Sequence, residues 1–491
     1  MPWREQLSRI FGSSKPTKTT SANPDFGELR ALLQRPPSED GWLLLTGVID
    51  HAREALPEDE FEHQWIDYAR DHLKSWPPHL RKCPEHWCEA LLQGQLPTSH
   101  LQLVRHLDLT EKLGSKQAKL RRVIGCAHLS DLERLELGNP ELSPQALATL
   151  LYEGPWKNLR ELLVTRVELS DEPQLLAHEN CANLETLELN QNELQPEVLE
   201  ALLQSASSSK LRALSITNNP ALGPRAASHI ADNPELADLR VLELCGCGIL
   251  GQGLRALAAS PNLARLDKLG LRQNRIEPGA IEVLEHAPWA NLTELDIAGC
   301  LVGDHGAKPL LAFPFASALR TLEASGCGLG PEGLALVAHA EDFKNLRVLD
   351  VTNNDLGGGL PEAFAGCVWE ALEVLDMRFN GLRDDDVRAL LTARFVPTLR
   401  DLSLAFNMLG DEAAAMLGAA PLERLERLDL NNNSVTDRGA ISLMESTSLQ
   451  NVNLDLGNNL LSDDVRAQLD RSPLFASVHH HSFKMAPTPT F

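Results

Sequence analysis

LEVLDMRFNGL, residues 372 to 382, decides the fold. Its skeleton is L-x-x-L-x-L-x-x-N-x-L, with Leu372, Leu375, Met377, Asn380 and Leu382 in the fixed slots. The same skeleton returns every 25 to 28 residues, starting at Val104, Leu132, Leu159, Leu184, Leu211, Leu239, Leu266, Leu292, Leu319, Leu346, Leu372, Leu399, Leu425 and Asn451. Slots 4 and 6 are apolar and alternate with mostly polar positions, the pattern of a strand with one buried face. Slot 9 is Asn in eight units (Asn192, Asn219, Asn274, Asn354, Asn380, Asn407, Asn433, Asn459) and Cys in three (Cys247, Cys300, Cys327). A side chain there can satisfy the backbone of the turn leaving the strand, and stacked turns then form a ladder of such bonds.

The second half of each unit reads as a helix. Slot 13 is Pro or Asp in most units, including Pro196, Pro278, Asp304, Pro331, Asp384, Asp411 and Asp437. Pro suits the first helical turn, and Asp favours a helix N-terminus through capping and the helix dipole. Apolar residues follow at helical spacing, as in Val387, Leu390 and Leu391. Strand plus helix at this period resembles the leucine-rich repeats of the ribonuclease-inhibitor-like class. That resemblance implies an α/β fold: a curved solenoid of parallel strands inside and helices outside, over residues 104–470. It is specific to a fold and implies no activity. The first three units (Lys112, Pro140 and Val167 in slot 9) and the last depart from the pattern, as end units of a solenoid often do.

The chain has 491 residues, a formal net charge of −23 and a pI near 5.1. That balance argues against nucleic acid held by phosphate contacts. Nine scattered cysteines give no disulfide framework, no apolar run reaches the ~18 residues of a membrane span, and no signal-peptide core follows Met1. A reducing cytoplasm is the expected setting.

Outside the repeats, residues 1–23 form a basic segment with Trp3, Leu7, Ile10 and Phe11 on one helical face and a polar, Pro-containing tether after it. It reads either as a frayed, flexible terminus or as a short helix that touches a partner or an anionic membrane surface. Residues 24–103 are helical in pattern and rich in Trp: Trp42, Trp65, Trp76 and Trp87. They read as a helical cap closing the open end of the core. The stretch WPPHLRKCPEHWCEALLQGQLP, from Trp76 to Pro97, resembles the helical domain that precedes such repeats in bacterial repeat-companion proteins. Residues 471–491 read as a C-terminal cap and tail, with Leu474, Phe475, Val478 and Phe483 as its apolar positions.

Chemistry has few candidates. Cys83, His86, Cys88 and His79 include zinc-ligand types, but the set holds one C-x4-C pair broken by Pro84. Cys83 with His86 makes a nucleophile pair lacking an orienting group. His479, His480 and His481 would alternate faces in a strand. Gly357, Gly358 and Gly359 lack the Lys-Ser/Thr of a phosphate loop and fit a tight turn. The expectation is a chain that is no enzyme, with no catalytic, metal or cofactor site.

The repeat frame says which side chains share a face. Slots 3, 5 and 7 point together to the concave side of a parallel sheet. Slot 5 is acidic in ten of fourteen units, and across the three columns thirteen acids meet five bases. Strands lie ~4.8 Å apart, so each neighbouring like pair costs about 0.8 kcal/mol even in bulk water. Asp296, Glu323, Asp350 and Asp376 are four such neighbours in a row, and Arg378, Phe379 and Phe406 follow. The acids serve either solubility or a partner, and the two rings either fold inward over the turns or stand exposed as an anchor. Two functions fit: a non-catalytic scaffold that grips a protein with a basic or mixed-charge surface, or a regulator of an enzyme, similar to leucine-rich GTPase-activating proteins.

Overall fold

The computed structural model describes residues 24–479, apart from 96–97, 115, 170–173, 205, 311 and 473–474. The basic segment 1–23, Asp171, Phe483, His480 and His481 lie outside the described residues. The chain forms two compact units, Met1–Leu214 and Ser215–Phe491.

The first unit begins with helices Phe26–Leu33 and Glu39–Ala55, then a helical run from Glu58 to His72 whose middle, Phe61–Ile66, is a π-helix. Ser38 starts the long helix by accepting the Gly41 N–H at 3.0 Å. Trp42, Trp65, Trp76 and Trp87 are all buried. Two of them are satisfied at their polar edges where the chain crosses itself: Trp42 Nε1 donates to Lys82 O, and Trp87 Nε1 to Asp50 Oδ1, both at 2.7 Å. Arg81 is buried as well, tying Leu103 O (2.8 Å) and Leu73 O (3.1 Å) together. Burial, and then the charge of Arg105, push its guanidinium down to about 9. Lys82 forms a parallel bridge to His106, so the helical segment lends backbone to the first strand, His106–Asp108. Strands Arg134–Gly138, Glu161–Thr165 and Thr186–Glu188 follow in parallel, each slot facing the same slot of its neighbour.

In the second unit the strands from Val241–Glu243 to Val452–Asp455 pair in the same way, slot 5 opposite slot 5. Slots 1, 4, 6 and 11 make the core; Leu372, Leu375, Met377 and Leu382 are all at most 1% exposed. The C-terminal stretch read as a cap contributes a further strand, Phe475–His479, which pairs with Val452–Asp455 through a register shift. The three glycines form the expected turn. A Cβ on Gly357 would stand 2.5 Å from Gly381 O, and Gly358 has φ +82°.

Slot 9 ties repeat to repeat. Asn380 Nδ2 donates to Val351 O of the preceding repeat (2.9 Å) and to Met377 O of its own (3.0 Å), while its Oδ1 accepts the Asn354 N–H at 3.2 Å. Asn407 repeats the pattern on Met377 O, Leu404 O and the N–H groups of Asn380 and Leu382. Where the slot is Cys the thiol reaches the preceding carbonyl: Cys247 to Ile216 O at 3.0 Å, Cys327 to Ile297 O at 3.1 Å.

Slot-13 aspartates act differently from the expectation that each serves its own helix. Asp304 Oδ1 accepts from Gly330 and Gly333, Asp384 from Gly410, Asp411 from Thr436 and Gly439, and Asp437 from Ser462. Each therefore caps the helix of the next repeat. Side chains at the first helical position point sideways along the row of stacked helices, where the neighbour's unpaired N–H groups lie.

Asn380→Leu would leave the Asn354 N–H without its acceptor, at roughly 1–3 kcal/mol, and would take one of two amide donors from each of the Val351 and Met377 carbonyls, which Asn354 and Asn407 also reach. It is expected to cost about 1–3 kcal/mol by urea denaturation, and Asn380→Cys less, because a thiol reaches the preceding carbonyl. Asp411→Ala should cost about 1–2 kcal/mol at pH 7. Burial opposes ionisation of Asp411, but the Thr436 and Gly439 donors outweigh it and hold its carboxyl low. A lowered folded value means the stabilisation is whole above the unfolded value of about 3.9 and is lost as pH falls through the folded one. The gap in urea midpoint between wild type and D411A should hold down to about pH 4 and close only below it.

Candidate functional site

Three short strands, Val348–Asp350, Val374–Asp376 and Asp401–Ser403, carry the densest group of candidate residues. Register places Asp296 beside Glu323, Glu323 beside Asp350 and Asp350 beside Asp376. The row is only partly repulsive. Arg272 bridges its start, with Nε 2.9 Å from Asp296 and Nη2 2.6 Å from Glu323. Arg378 closes its end by chelating its own strand's Asp376 at 2.7–2.9 Å. Asp350, between them, has no ion-pair partner among the described residues; its Oδ1 accepts the Thr352 N–H at 2.8 Å. Beyond Arg378 the acids outnumber the bases again. Arg427 reaches Asp429 (3.4 Å) and Asp401 (3.9 Å) but leaves Asp455 aside. Burial raises the Asp401 carboxyl, with Asp376 and Asp429 adding to the effect; burial and then Asp455 do the same to Asp429. This end of the face has room for positive charge.

Phe379 and Phe406 lie against one another, ring centroids 4.1 Å apart and planes 15° from parallel. Phe379 is 46% exposed and Phe406 is half-buried. Of the two readings of these rings, burial over the turns fails for Phe379 and holds in part for Phe406. The reason is in the backbone. Slot 8 is left-handed in every repeat except the second, with φ +56° at Phe379 and +55° at Phe406. That conformation turns slot 9 into the core and swings slot 8 out. Elsewhere the slot is mostly Asn or Gly, such as Asn218, Gly246, Gly299, Gly326, Asn353 and Asn432, which enter it cheaply. A Phe there costs on the order of 1–2 kcal/mol. Met408, 55% exposed, extends the apolar surface; its Cε lies 3.6 Å from where Gly381 would carry a Cβ. Met408 has no counterpart in the sequence reading, which left the turn slots out of the face.

The remaining candidates are placed elsewhere. His86 is drawn to Asp50 (Nε2 to Oδ2, 2.6 Å). Cys83 and Cys88 are buried, and burial raises both thiols. Among the described residues no group of three or more metal-ligating side chains converges. The slot-2 arginines reach mainly the slot-2 carboxylates of the next repeat: Arg160 to Glu185, Arg347 to Glu373 and Arg400 to Glu426, at 2.5–2.9 Å. They are exposed and are worth little each.

Family models described as leucine-rich repeats match residues 345–367 and residues 290–311, 371–391, 397–418 and 425–444. Ribonuclease inhibitor from Sus scrofa is 34% identical over 200 residues, covering 38% of this chain and 40% of that protein. The chain thus spans two fifths of the length of the curated relative it matches. Among solved structures, a yeast complex of Rad7 and Elc1 aligns at TM-score 0.49 and 18% identity, over 88% of this chain and 96% of the other. An internalin from Listeria monocytogenes aligns at TM-score 0.36 and 18% identity, over 82% and 94%.

Exposed rings in a strained backbone should be cheap to remove. Phe379→Asn trades a ring stack worth about 0.5–1.5 kcal/mol for relief of a similar strain. Its unfolding free energy is expected within about 1 kcal/mol of wild type, against the 3–5 kcal/mol that a core Phe would cost.

Proposed function

We propose that this chain, a leucine-rich-repeat protein of the ribonuclease-inhibitor-like class, is a non-catalytic scaffold that docks a protein partner on the concave face of its later repeats. The observation that carries the reading is the Phe379–Phe406 pair. Two adjacent repeats hold a large ring, at a backbone cost, in a slot where Asn or Gly would be free of strain, and one of the stacked rings, Phe379, is exposed while the other is half-buried. Strain and exposure at one place are features of functional sites. Asp296, Glu323, Asp350, Asp376 and Arg378 lie beside the pair and suit a basic or mixed-charge surface. Charge would speed and orient the encounter, and the rings would supply most of the affinity. Residues 24–103 serve as the helical cap of a solenoid that runs from 104 to 470. The setting is the cytoplasm, since Cys247, Cys300 and Cys327 spend their thiols on backbone carbonyls and a disulfide would end that role. A second reading follows from the relative: ribonuclease inhibitor is by name a protein that acts on an enzyme. The docked partner would then be an enzyme whose activity the scaffold restrains or, as in leucine-rich GTPase-activating proteins, promotes.

The test uses a partner recovered by affinity capture with the full chain. Glu323→Gln with Asp350→Asn should slow association and flatten its salt dependence, with the fold unchanged. Phe379→Ala with Phe406→Ala should speed dissociation by roughly tenfold or more. A captured partner whose kinetics neither pair alters binds elsewhere, and the proposed surface is then wrong. Hydrolysis of GTP by the partner, measured with and without the scaffold, separates the two readings.

A further inference from the structure

On the sheet face every base sits on a carboxylate: Arg134 on Glu136, Lys268 on Glu243, Arg272 on Asp296, Arg378 on Asp376 and Arg427 on Asp429. One place breaks that rule. Lys112, Lys116, Lys119, Arg121 and Arg122 crowd into and just before the helix Gln117–Ile124, and no acid falls between Lys112 and His128. Among the described residues none of the five reaches a carboxylate. Lys112 Nζ donates to Asp108 O (3.2 Å), Lys119 Nζ to Lys112 O (2.5 Å) and Arg122 Nη1 to Leu92 O (2.5 Å). These bonds fix the cations in place, and backbone carbonyls leave their charge whole. Arg122 lies where the helix Glu85–Gln93 ends at Gly94, and so meets the negative end of that helix. Lys116 and Arg121 are exposed.

Like charges at this spacing oppose the helix, by a few tenths of a kcal/mol per pair. In a chain of net charge −23 a carboxylate could have stood at any of these positions. The five form a cluster of positive charge with no carboxylate partner among the described residues. Their helix is distinct from the docking face of the later repeats, and nothing in the reading of that face accounts for them.

We infer that the helix Gln117–Ile124 with Lys112 and Lys116 is a second interaction surface, and that its occupant is an acidic peptide segment of a protein partner. A membrane is the poorer fit on two grounds. Surfaces that settle on lipid combine bases with exposed large apolar side chains, and none of the exposed ones belongs to this segment. The chain's net charge would also be repelled by an anionic bilayer. Nucleic acid meets the same repulsion along its whole length.

The test takes the full chain with Lys116→Glu and Arg121→Glu, two exposed residues with no bonds to lose, and a fluorescent oligoglutamate peptide as probe. Binding followed by anisotropy should be salt-sensitive in the wild type and weaker by roughly tenfold in the double variant, with unchanged circular dichroism. Vesicles of phosphatidylcholine with phosphatidylserine should not co-sediment the wild type. No binding of the peptide, or equal binding by both proteins, would overturn the inference. Vesicle binding lost in the variant would overturn it in favour of a lipid surface. Self-association lost in the variant would overturn it in favour of the acidic face of a second copy.

Discussion

The slot-9 side chain is what the rest of the second unit depends on. A parallel strand of three residues has few ladder bonds of its own, and a stack of such strands must turn the chain sharply after each one. Asn in slot 9 closes that turn from inside by joining two carbonyls and up to two N–H groups across neighbouring repeats. Buried amides with full partners stabilise, and one left without them costs more than the bond was worth. To aim slot 9 inward, slot 8 must be left-handed and must point out. Core architecture and surface display are thus set by the same pair of residues. At Phe379 and Phe406 the geometry required by the core turns two rings outward, leaving Phe379 exposed and Phe406 half-buried.

A second ladder runs along the row of helices. Aspartates at the first helical position cap the neighbouring helix, and glycines make room for them: a Cβ on Gly333 would meet Asp304 Oδ1 at 2.5 Å, and one on Gly439 would meet Asp411 Oδ1 at 2.7 Å. Polar groups inside the turns and along the helices therefore bond repeat to repeat, while the leucines fill the space between. Carboxylates on the open face bond within their own turns, as Asp350 does with the Thr352 N–H and Asp429 with the Asn431 N–H. Asp350 has no ion-pair partner among the described residues, and around Arg427 the acids Asp401, Asp429 and Asp455 outnumber the base.

Much of this was legible in the sequence, because period and slot are one-dimensional facts. The spacing of Leu375, Met377 and Asn380 gives strand, core and turn, and slot counting gives the acidic column and its register. Pairings were not legible. That Arg272 spans Asp296 and Glu323 depends on a side chain reaching across two strands, which no column shows. Capping of the next repeat by Asp304 and Asp411 depends on how helices stack. The C-terminal strand Phe475–His479 lacks the skeleton altogether and is recruited by the open edge it meets. Exposure of Phe379 could have been read from the row: Asn and Gly fill slot 8 in neighbouring repeats, and residues that share a taste for positive φ mark a left-handed position.

Amide hydrogen exchange, compared between the free chain and the chain bound to its captured partner, tests the central claim most directly. The account predicts added protection in the turns around Arg378–Gly381 and Ala405–Met408 and in the strands Val348–Asp350 and Val374–Asp376. The helices Asp384–Leu390 and Asp411–Ala419 on the other side of the same repeats should exchange as before. Protection confined to those helices, with the turns and strands unchanged, would contradict it.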